Sequence, residues 1–408
     1  MQTDAAQVKQ NVGRVTKIEV MRVALPFDAG RRVRAGAAGQ TAEPEDAFNA
    51  ASRTLQRMET LLVKVSTDAG YVGWGEGFGH LVNPVTFAAL AGPVGRFFIG
   101  TEIGADPGSF AAKIEAARQA FHPFGRTGPV VFALSAIDTA LWDLCAQAAG
   151  VPLYRLLGGA HPSRDAATAD GRLAQIDVYA SLVSYDNDPE EVVYQVQRAQ
   201  AAGFRRMKLH ETQRDAIAAA RQALPAHLGL MVDVNCPWPA DEAKVRVGEL
   251  NELGLGWVEE PVWPPDDLDA LADVRTLGVP IAAGENASGV AGFAQHFARR
   301  AIDVAQPSVA KIGGITAMRE VIALAQTHRV KVVPHCFYYG AGLLATAHIV
   351  ATLPNDIALE VPWLQWPTPL YPQQVFGPVF ALPQVPGLGF APDEDVLARH
   401  TIDRAHAA

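Results

Sequence analysis

The chain has 408 residues, 49% apolar and 19% charged, enough to bury more than one domain of ~100–200 residues, so one large and one smaller domain are expected. A net charge of −9 leaves no general basic surface for nucleic acid, so a small anionic ligand must meet local cations or a metal. Cys145, Cys236 and Cys336 lack C-x-x-C spacing, the N-terminus lacks an apolar leader and no run approaches ~18 apolar residues; a disulfide framework, zinc site, secretory signal and membrane span are all disfavoured, and a soluble, cytoplasmic protein is expected.

Alternation from Val15 to Leu25 predicts a strand. Leu61 to Val65 and Tyr71 to Trp74, separated by Thr67-Asp68-Ala69-Gly70, predict a hairpin. Between them Asp28 to Glu45, with Arg31, Arg32 and Arg34, reads either as a lid or as a solvated basic loop. From Pro129 to Ala149, apolar and small residues recur every three and four positions until Gly150, which predicts one tightly packed helix.

Beyond Gly158 short apolar runs begin near Asp177, Arg205, Gly229, Gly256, Pro280, Ile302, Val330 and Ile357. Eight strands at ~25-residue spacing with amphipathic segments between them predict parallel βα units closing into a barrel. Asp188-Pro189-Glu190-Glu191 supplies a cap, an N1 proline and a capping-box glutamate for the first crossover helix. No strand is followed by a nucleotide-binding glycine motif. The Pro- and Trp-rich tail after Glu360 is expected to return to the first domain.

In such a barrel the reactive groups lie at the C-terminal ends of the strands. Those ends carry Lys208 and His210, Asp233 and Asn235, Glu259 and Glu260, Glu285 and Asn286, Ser308, His335 and Glu360. Asp233, Glu259 and Glu285 are separated by two equal steps of 26 residues (233 to 259, 259 to 285). Three acids on adjacent strands would repel unless a cation lay between them; helix capping accounts for one such acid but not three. Carboxylate oxygens favour a hard ion, Mg²⁺ or Mn²⁺, over zinc. Lys208 and His210, two apart on a strand, point to one side, into the barrel mouth.

The segments Val232-Asp233-Val234-Asn235, Trp257-Val258-Glu259-Glu260-Pro261, Ala283-Gly284-Glu285-Asn286 and Lys311-Ile312-Gly313-Gly314-Ile315-Thr316 together resemble the mandelate racemase/muconate lactonising branch of the enolase superfamily. So do Gly73-Trp74-Gly75-Glu76 and Ala136-Ile137-Asp138-Thr139-Ala140-Leu141-Trp142-Asp143. The resemblance implies an α/β fold, a modified TIM barrel (β/α)7β with an α+β N-terminal capping domain. The corresponding division is 1–150 for the cap, 151–361 for the barrel and 362–408 for the returning segment.

It also implies a first step in which a metal binds the substrate carboxylate, a base removes the α-proton and the enediolate is stabilised electrostatically, with Lys208 assisting. By position His210 is a base, where relatives usually carry lysine; the alternative is that it only hydrogen-bonds substrate or ligands. His335 resembles the racemase-type histidine on the opposite face. Relatives orient it with an aspartate, where this chain has Ser308, so a Ser308 hydroxyl holding His335 is expected. Lys311 reads as structural, and Asn235 and Asn286 as orienting residues. Glu360 resembles an acid that, while protonated, donates to the substrate carboxylate, or else is a solvated strand-end acid. Glu260, beside Glu259, is a rival metal ligand.

Two imidazoles suit dehydration, in which one protonates a leaving β-hydroxyl, and equally racemisation; cycloisomerisation needs fewer acids. The Arg-bearing loop favours dehydration of a sugar acid or other hydroxy acid. Racemase, epimerase or cycloisomerase activity is the alternative, and a metal-binding, non-catalytic relative is the other class. The expected partners are a small carboxylate and further copies of the same chain.

Overall fold

The protein is described by a computed structural model, which covers residues 11–31, 56–79, 82–158, 175–374 and 377–408. Arg32, Arg34, His80 and most of the expected lid therefore lie outside the described residues.

Apolar alternation builds the first sheet. Strand β1 (Asn11–Pro26) pairs antiparallel with β2 (Arg57–Thr67), placing Val20 opposite Val63, and β2 pairs with β3 (Val72–Gly77) across a tight turn. Gly70 closes that turn at φ +80, a left-handed conformation that glycine adopts without cost. Strand β4 (Glu102–Gly104) extends the start of β1. Helices α1 (Asn83–Ala91), α2 (Pro93–Phe98) and α3 (Gly108–Phe121) precede α4 (Pro129–Ala148).

Helix α4 lies on β3 so closely that a Cβ on Gly75 would sit 1.8 Å from the Ala136 carbonyl. By length and composition α4 is apolar enough to cross a membrane, although no unbroken apolar run marks it. Its 18-residue apolar window is 78% buried inside the protein, and it carries Asp138 and Asp143, as a core helix does.

After the short α5 (Leu153–Leu156) comes the barrel. Its strands are β5 (Gln175–Ser181), β6 (Arg206–Leu209), β7 (Gly229–Asp233), β9 (Val258–Glu259), β11 (Ile281–Ala283), β12 (Val304–Ala305), β13 (Lys331–Val332) and β14 (Leu359–Pro362). They pair in parallel in the order β13-β12-β11-β9-β7-β6-β5-β14. Two-residue β8 (Trp238–Pro239) and β10 (Val262–Trp263) form a separate parallel ladder. All eight barrel strands lie within two residues of their expected starts.

The crossovers are α6 (Pro189–Ala201), α7 (Arg214–Ala223), α8 (Ala240–Leu250), α9 (Leu268–Arg275), α10 (Gly289–Ala298), α11 (Gly314–His328) and α12 (Ala341–Val350). Asp188 caps α6, accepting from the N–H of Glu190 and Glu191. Strand β15 (Val379–Ala381) then lies antiparallel on β5. Helix α13 (Glu394–His400) leads into β16 (Thr401–Ala407), which pairs antiparallel with β1.

Buried carboxylates stitch the two parts together. Asp143 accepts from the N–H of Trp74 and of Leu388, both at 2.8 Å. Asp138 accepts from the Thr316 N–H at 2.9 Å and from its hydroxyl. Glu76 accepts from Gly340 and Gly342 N–H at 3.1 and 2.7 Å and from the Thr60 hydroxyl. The cap is thereby fixed to the loop that follows the seventh barrel strand.

Candidate active site

Parallel pairing puts the ends of successive barrel strands side by side, and the acids of β7, β9 and the residues following β11 converge. Oxygens of Asp233, Glu259 and Glu285 lie within 4.8 Å of one another, and Asp233 and Glu259 are almost wholly buried. Lys208, also fully buried, is wedged among acids: Nζ is 2.9 Å from Glu259 Oε1, 3.4 Å from Asp233 Oδ2 and 2.8 Å from Glu360 Oε1.

The electrostatics follow from that crowding. Burial favours a neutral Lys208, but Glu259, Glu360 and Asp233 outweigh it and hold the ammonium well above its ordinary range. Burial raises Asp233, yet Lys208 and then His210 pull it down to about 2. Glu259 is pushed well up by burial and then by the neighbouring Asp233 charge. Burial raises Glu285 too, but His335 and Lys311 hold it well below its ordinary range, so two of the acids are kept ionised while the third takes up a proton in their field, a proton that a cation would displace. The all-oxygen donor set fits a hard divalent ion.

The two histidines occupy opposite flanks. His210, following β6, has Nε2 3.3 Å from Asp233 Oδ2, while its Nδ1 meets the Leu182 carbonyl. His335, following β13, has Nε2 2.9 Å from Glu285 Oε2. The expected Ser308 contact is not formed: Ser308 Oγ is buried without a hydrogen-bond partner, and Tyr338 Oη lies 3.5 Å from His335 Nδ1. Ser308 and His335 are neighbours across the sixth and seventh strands, yet the serine hydroxyl does not turn to the ring, and Tyr338 approaches it from the same loop as His335. Phe78, at the end of the capping hairpin, packs edge-on against both rings.

Glu360 also departs from expectation. Burial would keep its carboxyl neutral, but Lys208 and then His335 hold it below the usual range, and Cys336 N–H donates to Oε2 at 2.8 Å. Its Oε1 is placed to anchor Lys208, and its full burial sets aside the solvated strand-end reading. Asn235 contributes through its backbone, its N–H donating to Asp233 Oδ1 at 2.9 Å. Glu260 stands outside the triad, accepting from Asn286 Nδ2 at 3.2 Å and from Cys236 Sγ.

Lys311, read as structural, reaches the site: Nζ is 2.8 Å from Glu285 Oε1, 3.2 Å from Asn286 Oδ1 and 4.4 Å above the Phe78 ring. Trp257 Nε1 donates to Glu259 Oε2 at 3.0 Å. Tyr339 does not join the site; its hydroxyl donates to the Val23 and Met58 carbonyls. His122 is exposed, and His348 is buried against Tyr154 and Leu388.

Comparison with known proteins adds three kinds of similarity. The sequence pattern described as "Mandelate racemase / muconate lactonizing enzyme, N-terminal domain" matches residues 38–158, and that described as "Enolase C-terminal domain-like" matches residues 191–396. D-galactarolactone cycloisomerase from Agrobacterium fabrum is 32% identical over 76% of this chain and 79% of its own length. Arabinonate dehydratase from Saccharolobus solfataricus is 27% identical over 76% and 79% respectively. Among solved structures, L-talarate dehydratase from Polaromonas sp. JS666, complexed with Mg and L-glucarate, shares the fold at a TM-score of 0.75 and 23% identity, over 97% of this chain and 99% of that one.

Proposed function

Because the chain belongs to the mandelate racemase/muconate lactonizing enzyme family of the enolase superfamily, we propose that it is a Mg²⁺-dependent acid-sugar dehydratase, eliminating water from a hydroxylated carboxylate. The observation that carries this reading is a pair of imidazoles, His210 and His335, placed on either flank of one carboxylate triad.

Asp233, Glu259 and Glu285 would hold a divalent ion, which would supply fixed positive charge for the negative charge that builds on the substrate carboxylate as its α-proton leaves. Lys208 adds to that effect, because its ammonium is held charged and preorganised by Glu360. One imidazole takes the α-proton at Nε2. As the α-carbon–β-carbon double bond forms, the β-carbon–oxygen bond breaks, and the second imidazole gives its proton to the leaving hydroxyl, which departs as water. The enol then becomes a 2-oxo-3-deoxy acid. Lys208 takes no part as a base, since its acidic neighbours hold it protonated.

Cycloisomerisation is the second reading, favoured by the 32% identical D-galactarolactone cycloisomerase. It uses the same proton abstraction with a ring oxygen as leaving group, so the mass is retained. Incubating a panel of acid sugars and their lactones in D₂O with Mg²⁺ separates the two. A 2-oxo acid one water lighter than its substrate, with solvent deuterium at the β-carbon, supports the dehydratase. Conversion of a lactone to a product of the same composition, apart from the deuterium taken up, supports the cycloisomerase, and neither exchange nor product across the panel overturns both.

A further inference from the structure

His210 is held from behind by a loop that has its own clamp. A carbonyl only accepts, so the contact to Leu182 places a proton on Nδ1 and leaves Nε2 as the nitrogen that exchanges protons at the site. Leu182 opens the loop after β5, and its own N–H is fixed to the Lys208 carbonyl at 2.8 Å. Further along, the Tyr185 and Asn187 N–H groups donate to Glu211 Oε1 and Oε2 at 2.5 and 2.6 Å. Glu211 follows His210 directly and is only 1% exposed.

The loop carries backbone strain that its contacts offset. Asp186 and Asn187 both lie in the left-handed region, at φ 61 and 55, where non-glycine residues are strained. Glu211 grips the backbone on either side of Asp186. From the other direction Asn187 Oδ1 accepts from the Thr212 and Gln213 N–H at 2.7 and 2.8 Å. The outer side of the loop receives the root of the segment after β1. Tyr185 Oη donates to the Ala29 carbonyl at 3.2 Å, Arg31 Nη2 donates to the Ser184 carbonyl at 2.5 Å, and the Arg31 guanidinium lies 5.0 Å over the Tyr185 ring.

We propose that Glu211 is a positioning residue for proton transfer at His210: by clamping loop 182–187 it keeps the Leu182 carbonyl where it fixes the imidazole in one tautomer and one direction. The segment 29–31 docks on the far side of the same clamp, so the capping domain and the candidate base share one platform. This rests on the reading of His210 as a proton-transfer group. Without Glu211 the two N–H groups are orphaned, the strained turn relaxes and the imidazole loses its fixed acceptor, while the acid triad and His335 keep their contacts.

The test uses the Mg²⁺-loaded protein with ¹⁵N-labelled histidine, His210 being assigned by its loss in His210→Asn. In the wild type the His210 signals should be those of a proton fixed on Nδ1. In Glu211→Ala they should move toward a tautomer mixture, while the His335 signals and the Mg²⁺ titration stay unchanged. With an acid sugar that exchanges, kcat for exchange on the His210 face should fall about 10- to 100-fold with little change in KM. Glu211→Gln, which keeps one acceptor and guards against misfolding of the alanine variant, should lie between.

Unchanged His210 signals and unchanged kcat in folded Glu211→Ala overturn the proposal. If His210→Asn abolishes exchange and Glu211→Ala does not, the clamp fails and the reading of His210 stands. If no acid sugar exchanges in the wild type, the function fails, and the tautomer signal alone decides what Glu211 does to the imidazole.

Discussion

Each side chain in the barrel mouth touches a different partner, so the roles are separable. Lys208→Met removes a preorganised charge and should lower kcat about 10²- to 10³-fold, the usual loss for a group stabilising developing negative charge. Steady-state kinetics with an exchanging acid sugar would measure this, and a kcat within threefold of wild type would remove Lys208 from the mechanism. His210→Asn and His335→Asn should each abolish exchange on one stereochemical face while leaving Mg²⁺ binding intact; ¹H NMR with the two epimers of one acid reads this, and exchange on both faces in either variant sinks that assignment. The acid triad was legible in the sequence because three evenly spaced carboxylates at adjacent strand ends need a cation to balance them. Lys311 and Glu211 were not, since each acquires its role from a partner on another strand or loop: Glu285 and the loop 182–187 respectively. Ser308 misled because standing beside His335 on the neighbouring strand did not make its hydroxyl a partner of the ring.

The elements were legible where period and punctuation agree. Barrel strands of only two residues, such as β9 and β12, could still be placed, because an apolar run followed by a polar end marks them even where the hydrogen-bonded ladder is brief. Asp188, Pro189 and Glu191 marked the start of α6 in the same way, and Asp188→Ala should cost about 1 kcal/mol in urea unfolding, the ordinary loss of an N-cap. What the pattern could not convey is how α12 is joined to the capping hairpin. Gly340 and Gly342 offer their N–H groups to Glu76, 264 and 266 residues earlier in the chain, and no local signal links them. Glu76→Ala leaves these donors unpaired, for a loss of roughly 2–6 kcal/mol at ~1–3 kcal/mol per buried group, whereas Glu76→Gln retains one acceptor and should lose less. Equal stability of the alanine variant and the wild type in urea would show that the hairpin is held by apolar packing alone.

Across the whole molecule, the contacts joining cap to barrel give stability a pH dependence of unusual sign. Burial pushes Glu76 and Asp138 up to about 7, against hydrogen bonds from Thr60 and Gly342 in the first case and from Thr316 in the second. Each therefore binds its proton more tightly folded than unfolded. The stability linked to that proton is full below the unfolded values of 4.5 and 3.8 and is lost as pH rises through about 7. Asp233, lowered to about 2, works the other way, but its contribution is lost only as pH falls from 3.8 toward 2, outside this range. His348, lowered to about 4 by burial, opposes the trend only below its unfolded value of 6.5. Most of that loss falls between about pH 4 and 7, partly offset by His348; above pH 6.5, where His348 no longer opposes it, the remaining decline is about 1 kcal/mol for each acid, in a window ending by about pH 8. With the metal chelated, unfolding free energy should decline across that window, and Asp138→Asn should flatten the slope by about one group's share. An unchanged slope in that variant would mean that Asp138 stays ionised throughout. Added Mg²⁺ should reverse part of the decline, because a raised Glu259 must release its proton to become a ligand, so the cation stabilises more at pH 8 than at 6.5. At a hundredfold excess over Kd the gain is about 2.7 kcal/mol, and Asp233→Asn should remove most of it, since among the described residues the triad is the cluster placed to hold the ion.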